Sequence, residues 1–173
     1  MKELQHYDRA ASNFYASQRI LSLPVSAWDV FSEYFQKVCN NLSELSSLKQ
    51  LSEQQAWDTQ FPFDKEIITK NHVIVVTDSQ LNIVHATKNI FDMNGYKPEE
   101  VLGEKPKMFQ GPETCKETIS TISKAVRAKQ PFETTILNYR KDGSQYKCWI
   151  KAAPIHNRKG EVVNFIAFER EVA

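Results

Sequence analysis

The sequence has few glycines, cysteines and histidines, and each shortage removes a class of site. Residues 1–60 contain no glycine, and all five glycines lie in residues 72–172. The three cysteines, Cys39, Cys115 and Cys148, have no paired spacing, so we expect a reducing compartment and no disulfide framework. The four histidines do not show metal-ligand spacing, and no metal site is predicted.

The sequence also lacks an excess of charge and a long apolar run. Its formal net charge is +1, and residues 1–58 carry five Lys or Arg against seven Asp or Glu, which would repel phosphates. No apolar run approaches the roughly 20 residues that span a bilayer, and the first residues, MKELQHYDRA, are charged. We therefore expect a cytoplasmic protein that binds neither nucleic acid nor membrane.

Catalytic patterns are missing as well. Serine and histidine occur without an oriented third partner, and no glycine-rich phosphate loop follows a strand. We therefore predict no catalytic residues and no enzyme activity.

Composition changes along the chain and predicts two parts. Residues 1–60 are expected to form a helical extension, residues 61–71 a linker in which Pro62 interrupts any continuous helix, and residues 72–173 a separate domain. The second part holds the glycines and the β-branched runs, which are typical of strands and turns.

The extension contains an amphipathic helix predicted over residues 26–48. Its apolar residues follow heptad spacing, which fits either packing on its own domain or a helical homodimer interface. These positions are Trp28, Phe31, Phe35, Val38 and Leu42.

The second part alternates short strands with a central group of helices. HVIVVTD and LNIVHA predict two strands, and the periodic residues after Cys115 predict a longer helix. Three further strands are predicted over 132–140, 144–156 and 161–172, with a hairpin turn at Asp142-Gly143. This order predicts an α+β fold built on an antiparallel sheet.

Five motifs in this order resemble the PAS domain, and within it the flavin-binding light-oxygen-voltage (LOV) branch. They are FDMNGYKPEEVLG, FQGPET, NYRKDGS, AAPI and FEREV, and the likeness covers about residues 71–172. The resemblance implies a five-stranded antiparallel sheet with short helices on one face, preceded here by the helical extension. It also implies a small interior pocket, which favours sensing over turnover.

The segment GEKPKMFQG departs from the photoactive LOV pattern Gly-x-Asn-Cys-Arg-Phe-Leu-Gln-Gly. Pro106 occupies the place of the cysteine whose thiol adds to the excited flavin, so the resemblance implies that this adduct cannot form. Lys105 replaces the asparagine, while Lys107 keeps the positive charge and Gln110 is retained.

The strand positions that face the flavin ring in LOV domains also differ. Asn138 matches the first ring-edge asparagine, but Cys148 replaces the second and Glu169 replaces the last-strand glutamine. A buried carboxylate there is either ionised and repulsive to the ring carbonyl, or shifted to a high pKa. Flavin is therefore disfavoured. Haem is not indicated either. Haem-binding PAS domains usually take their axial histidine from the long helix, and the resemblance places that helix in residues 113–129, which lack histidine. The cofactor is left unknown.

Alternation along the strands predicts a strongly apolar outer face that something must cover. We expect the helical extension, a second subunit or both to do so, and hence a homodimer. The outer residues are Leu137, Tyr139, Trp149, Ile166 and Phe168.

These features predict a PAS-type signalling sensor or interaction module without LOV photochemistry, with a possible small-molecule ligand. We expect a signalling partner in trans, or an effector domain missing from a fragment. One alternative is a flavoprotein that signals by flavin reduction without an adduct. Another is an enzyme that uses the pocket, with Glu169 holding a small polar molecule.

Overall fold

The structure, a computed structural model, describes residues 26–173, with side chains from residue 32 onward. A long helix, α1, covers Ser26–Gln54 and is followed by a π-helical turn at Lys65–Thr69. The chain divides into two units after Val38. The second unit, residues 39–173, contains the sheet and the end of α1.

Five strands form one antiparallel sheet. They are β1 (Val73–Asp78), β2 (Ile83–Ala86), β3 (Phe132–Tyr139), β4 (Gln145–His156) and β5 (Val162–Val172). Their order across the sheet is β2-β1-β5-β4-β3, which places β5 at the centre between β1 and β4. The predicted strands and the antiparallel sheet are confirmed.

Along the chain, short helices lie between β2 and β3. They are α2 (Ile90–Asn94), α3 (Pro98–Val101), a 3-10 turn (Pro106–Phe109) and α4 (Lys116–Arg127). Gly95 ends α2 with a φ of 76°, a backbone conformation that residues with a Cβ rarely adopt. The α+β prediction, with a helix preceding the sheet, is confirmed.

The two faces of the sheet bury separate apolar clusters. The inner cluster joins strand residues such as Val75, Ile136 and Cys148 to Ile90 and Phe109 of the helical segments. The outer cluster contains the alternate residues, Ile74, Val76, Ile155 and Ile166. Adjacent residues of β1 enter opposite clusters because successive side chains of a strand point to opposite faces.

The end of α1 and the segment after it cover the outer cluster. Leu48 is 0% exposed, and Trp57, Phe63 and Ile67 are buried in the same cluster. Residues 61–71, predicted as a linker, therefore carry two core side chains. The prediction followed Pro62, which interrupts a continuous helix, whereas the sheet face provides the apolar surface that orders this segment.

Polar contacts fix this cover on the sheet. The Trp57 indole N–H donates to the buried side-chain oxygen of Asn164 at 2.9 Å. One oxygen of Glu44 accepts from the Lys88 backbone N–H at 3.3 Å, and the other lies 3.4 Å from Nε2 of His85. The last turns of α1 are thus attached both to the sheet and to the β2–α2 connection.

The buried position of Leu48 gives a test of the cover. Replacing Leu48 with Ala should lower the free energy of unfolding by about 2–5 kcal/mol, because it leaves a cavity against the sheet. Leu102→Ala, at a position that is 47% exposed, is the matched control and should change it by less than about 0.5 kcal/mol. Urea denaturation measures both. Equal effects of the two changes would contradict the packing described.

Candidate functional site

A cavity of about 370 Å³ lies between the inner face of the sheet and the helical segments. Its wall is mainly apolar, with polar and charged residues near its ends. The apolar lining is Val75, Leu81, Pro106, Phe109, Ile119, Ile122, Val126, Phe132, Ile136, Ile150, Ala152, Phe165, Ile166 and Ala167. A cavity of this size and character suits a small molecule with an apolar body.

Three cations line one part of the cavity. Lys105 and Lys107 flank Pro106 at the 3-10 turn, and Arg127 ends α4. All three side chains are exposed, so their charges remain hydrated. Their positive charge would favour an anionic group on a bound molecule.

Glu169 provides the one carboxylate in the lining, and it is buried. Its Oε2 atom lies 3.7 Å from the Cys148 sulfur, whose thiol donates to it. Burial raises the pKa of Glu169 from 4.5 to about 7, and the Cys148 contact offsets this only in part. Burial thus favours the neutral acid at pH values where an ordinary glutamate is ionised.

Further polar groups lie near Glu169 or in the lining, although Tyr146 and Asn94 are not lining residues themselves. Tyr146 is buried beside Asn94 and Asn138, yet its hydroxyl and the Asn94 amide nitrogen have no partner in hydrogen-bond geometry. Burial, together with Cys148 and Glu169, raises the pKa of Tyr146, so it stays a neutral phenol. Thr77, on β1, lines the cavity with a buried, unpartnered hydroxyl. Such groups favour a polar ligand or ordered water.

The structure brings together five of the six residues named from the resemblance. Pro106, Lys107, Gln110, Asn138 and Glu169 line the cavity. Cys148 does not belong to the lining; it is 0% exposed behind Glu169.

The sequence interpretation did not assign Thr77 or Arg127 to the site. Arg127 lies four residues after Ser123, another lining residue, and the helical stripe of Ile119, Ile122 and Val126 could have indicated it. Thr77 carried no comparable signal, because its role depends on how strands far apart in sequence pair.

The residues named for an interface occupy several environments. The side chains of Trp28 and Phe31 lie outside the described residues. Phe35 and Leu42 are exposed, Val38 is half-buried, and Ile166 and Phe168 belong to the covered outer cluster. The remaining three residues, Leu137, Tyr139 and Trp149, are on β3 and β4.

Trp149 and Tyr139 have contacts of their own. The Trp149 ring lies 5.3 Å from that of His72, with the Arg170 guanidinium on it, and Leu137 is half-buried nearby on β3. Tyr139 does not join a shared outer patch. Its ring lies against Gly111, where any Cβ would collide with it, because β3 is an edge strand and the side chain packs along that edge.

Comparison with known proteins identifies the family. The PAS domain model matches residues 70–173. The chain belongs to the PAS domain family. Within the part that the structure describes, no helix is long and apolar enough to cross a membrane, and no group of His, Cys, Asp or Glu is arranged to hold a metal ion.

Its relatives include LOV proteins. Phototropin-2 of Oryza sativa is 36% identical over 91 residues, covering 53% of this chain and 10% of the relative. Protein TWIN LOV 1 of Arabidopsis thaliana is 35% identical, covering 57% and 26%. A blue-light-activated histidine kinase of Rhizobium johnstonii is 34% identical, covering 53% and 28%. The chain thus spans only about a tenth to a quarter of these curated relatives.

Solved LOV structures share the fold. One structure comes from a study of the LOV domain mechanism with a flavin analogue. It has a TM-score of 0.61 and 28% identity, and the match covers 66% of this chain and 87% of that one. The light-state structure of the Aureochrome1 LOV domain has a TM-score of 0.58 and 27% identity, covering 62% and 88%. These matches support the LOV branch and a sensor-type domain in signalling proteins.

The burial of Glu169 predicts a pH-dependent stability. Because its folded pKa lies above the ordinary value, the neutral acid favours folding below about pH 4.5, and this contribution disappears as pH rises through about 7. Glu169→Gln cannot ionise, so relative to the wild type it should gain on the order of 3 kcal/mol between those pH values. Denaturant titrations at several pH values measure the difference.

Glu171→Gln is the control for this comparison. Glu171 lies on the same strand but is half-exposed and bonds to Arg140. Glu171→Gln should not show the gain in the free energy of unfolding that is expected for Glu169→Gln. Parallel pH profiles for Glu169→Gln and the wild type would show that the carboxyl group is already hydrated or ionised in the folded protein.

Proposed function

We propose that this domain is a PAS-type sensor that binds a small molecule in the cavity and signals without a cysteinyl-flavin adduct. The observation that carries the proposal is the 370 Å³ cavity with Pro106 in its wall. Proline occupies the position of the reactive cysteine in the LOV pattern and has no nucleophilic atom to offer. Native mass spectrometry of the purified protein tests this, since it reports a bound ligand and the oligomeric state together.

The cysteines of this chain do not supply a substitute thiol. None of them lines the cavity: Cys39 is exposed on α1, Cys115 is exposed before α4, and Cys148 is buried behind Glu169. Burial and the nearby Glu169 raise the pKa of the Cys148 thiol, which suppresses the reactive thiolate. This supports a sensor in which the ligand is held without a covalent bond.

The cavity fits a flavin in its size and at its cationic side but not at the ring edge. Lys105, Lys107 and Arg127 suit a phosphate, and flavin chemistry, if present, would be supplied by the cofactor. At the ring-edge positions, the Glu169 carboxyl group lines the cavity where LOV domains present an amide, and Cys148, which replaces a second amide, is buried behind it. A ring edge that loses its paired donors and acceptors loses affinity. We therefore infer that flavin is not the preferred ligand.

A non-adduct flavoprotein is the second candidate function. The cavity volume, the retained Gln110 and Asn138, and the similarity to LOV proteins favour it. A flavin visible spectrum in the untreated purified protein would favour this candidate over the first. Apart from Glu169 in the cavity, nothing favours an enzyme.

The first functional prediction concerns light. Protein incubated with excess flavin mononucleotide should show no reversible loss of flavin absorbance under blue light, because no thiol lines the cavity. Absorbance recorded during illumination and dark recovery provides the measurement. A bleached state that recovers in the dark would mean that Cys148 or Cys115 reaches the ring.

The second functional prediction separates the thiol from the ring edge. Pro106→Cys alone should leave flavin affinity poor, because the change restores only the thiol. Adding Glu169→Gln should improve binding by about 1–3 kcal/mol, because it repairs one hydrogen bond at a position that lines the cavity. Equilibrium dialysis with flavin mononucleotide compares the variants. Tight binding by the single Pro106→Cys variant would show that the strand substitutions do not control affinity.

We also infer that the chain forms a homodimer through α1. Tyr34 and Phe35 are 68% and 60% exposed in the first unit, and Leu42 is 59% exposed in the second. Large apolar side chains of this kind favour association, since burying each is worth about 1.5–3 kcal/mol. A signalling partner in trans, or an effector domain elsewhere in a longer protein, would then bind the dimer and respond to changes in it.

Substitution on α1 tests the dimer. Phe35→Asp should convert the protein to monomer, because a charge would be buried in the interface. Ser46→Asp, on an exposed part of the same helix, is the control and should leave the dimer intact. Size-exclusion chromatography with light scattering measures the mass. A monomeric wild type at high concentration would reject the interface.

A further inference from the structure

Glu169 differs from the other polar groups of the cavity because it is both buried and ionisable. It is 6% exposed, and its one described side-chain hydrogen bond is with Cys148 at 3.7 Å. A thiol at this distance is a weak donor. The carboxyl group therefore retains hydrogen-bonding capacity on the cavity side.

The groups around Glu169 do not supply a compensating charge. Its neighbour on β1 is Val73, its neighbour on β4 is Ile150, and Tyr146 and Asn138 complete the polar surroundings from β4 and β3. On its own strand, Glu171 adds a like charge and already pairs with Arg140.

The 3-10 turn and α4 close the cavity from the opposite side. Their charged lining residues are Lys105, Lys107 and Arg127. These side chains are exposed and hydrated, and no ion pair joins any of them to Glu169 among the described residues. An ionised Glu169 would therefore remain a buried carboxylate without a cationic partner.

We propose that Glu169 acts as a protonation-dependent selector, which as a neutral acid donates a hydrogen bond to a carbonyl or ring-nitrogen acceptor on the bound molecule and as a carboxylate rejects it. The inference rests on the proposed function, in that it takes the cavity as the ligand site. It defines the ligand class as an apolar molecule with a neutral acceptor directed at Glu169. The pKa of Glu169, about 7, places the transition near neutral pH.

The acid and carboxylate forms select for opposite chemistry. The neutral acid carries one O–H donor, whereas the carboxylate only accepts hydrogen bonds. A carbonyl oxygen that faces the carboxylate cannot form a hydrogen bond with it, because neither group carries a proton. The carbonyl oxygen and the carboxylate then both lose their hydrogen bonds to water without replacing them. Affinity for such a ligand should fall as pH rises through about 7, since binding stabilises the protonated form.

Riboflavin and flavin mononucleotide are suitable probes because both carry carbonyl and ring-nitrogen acceptors on an apolar ring. Equilibrium dialysis at about pH 5.5 and about pH 8.5 should show riboflavin binding to the wild type on the order of tenfold or more tighter at the lower pH. Riboflavin is the decisive probe, since a phosphate monoester itself titrates near pH 6 and adds its own slope.

Two variants separate Glu169 from other titrating groups. Glu169→Gln should bind riboflavin equally at both pH values, within a factor of about two, because the amide always donates. Glu171→Gln should retain the wild-type slope. Infrared spectroscopy supplies a readout without ligand: a protonated carboxyl band should disappear between the two pH values in the wild type and be absent in Glu169→Gln.

Each contrary outcome is informative. Equal riboflavin binding by the wild type at both pH values, or the same slope in Glu169→Gln, would overturn the selector. Binding by Glu169→Gln but not by the wild type at either pH would also overturn it, while leaving the cavity as a ligand site. Lack of riboflavin binding in both proteins at both pH values would overturn the selector. A native mass spectrum that also shows no bound molecule would reject the cavity as a ligand site.

Discussion

Both faces of one antiparallel sheet are buried, and the rest of the structure follows from this constraint. Strand β5 lies at the centre of the sheet, paired with β1 on one side and β4 on the other. Its side chains alternate, so Ile166 enters the outer cluster while Ala167 and Glu169 line the cavity. A shift of one residue in its pairing would exchange these two sets and destroy both faces.

The outer face explains why the domain extends beyond the family match. The PAS match begins at residue 70, but Leu48, Trp57, Phe63 and Ile67 are part of the cluster that covers the sheet. Without them, Ile74 and Ile166 would be exposed to water. The cover also places Glu44 of α1 in contact with His85 on β2 and with the backbone of Lys88 in the β2–α2 connection.

The inner face explains why the cavity combines an apolar wall with a titratable group. Most of the wall consists of aliphatic and aromatic side chains, which lower the local dielectric constant and favour the neutral form of Glu169. The cations at Lys105, Lys107 and Arg127 lie on exposed segments, where hydration weakens their effect on a buried acid. A sensor built in this way would respond to a ligand and to proton concentration at the same group.

The sequence by itself determined the strands, the order of elements and the PAS resemblance. These rest on local patterns: the β-branched run of β1, apolar residues along β3–β5, helical spacing in α4, and turn residues such as Gly95. It also identified Pro106, Asn138 and Glu169 through motifs in register. The tertiary structure decided what these patterns could not. It brought Arg127 and Thr77 to one cavity, ordered residues 61–71 against the sheet, and placed Tyr139 along the edge strand. Those outcomes depend on contacts between segments far apart in the chain, and local spacing carries no information about such contacts.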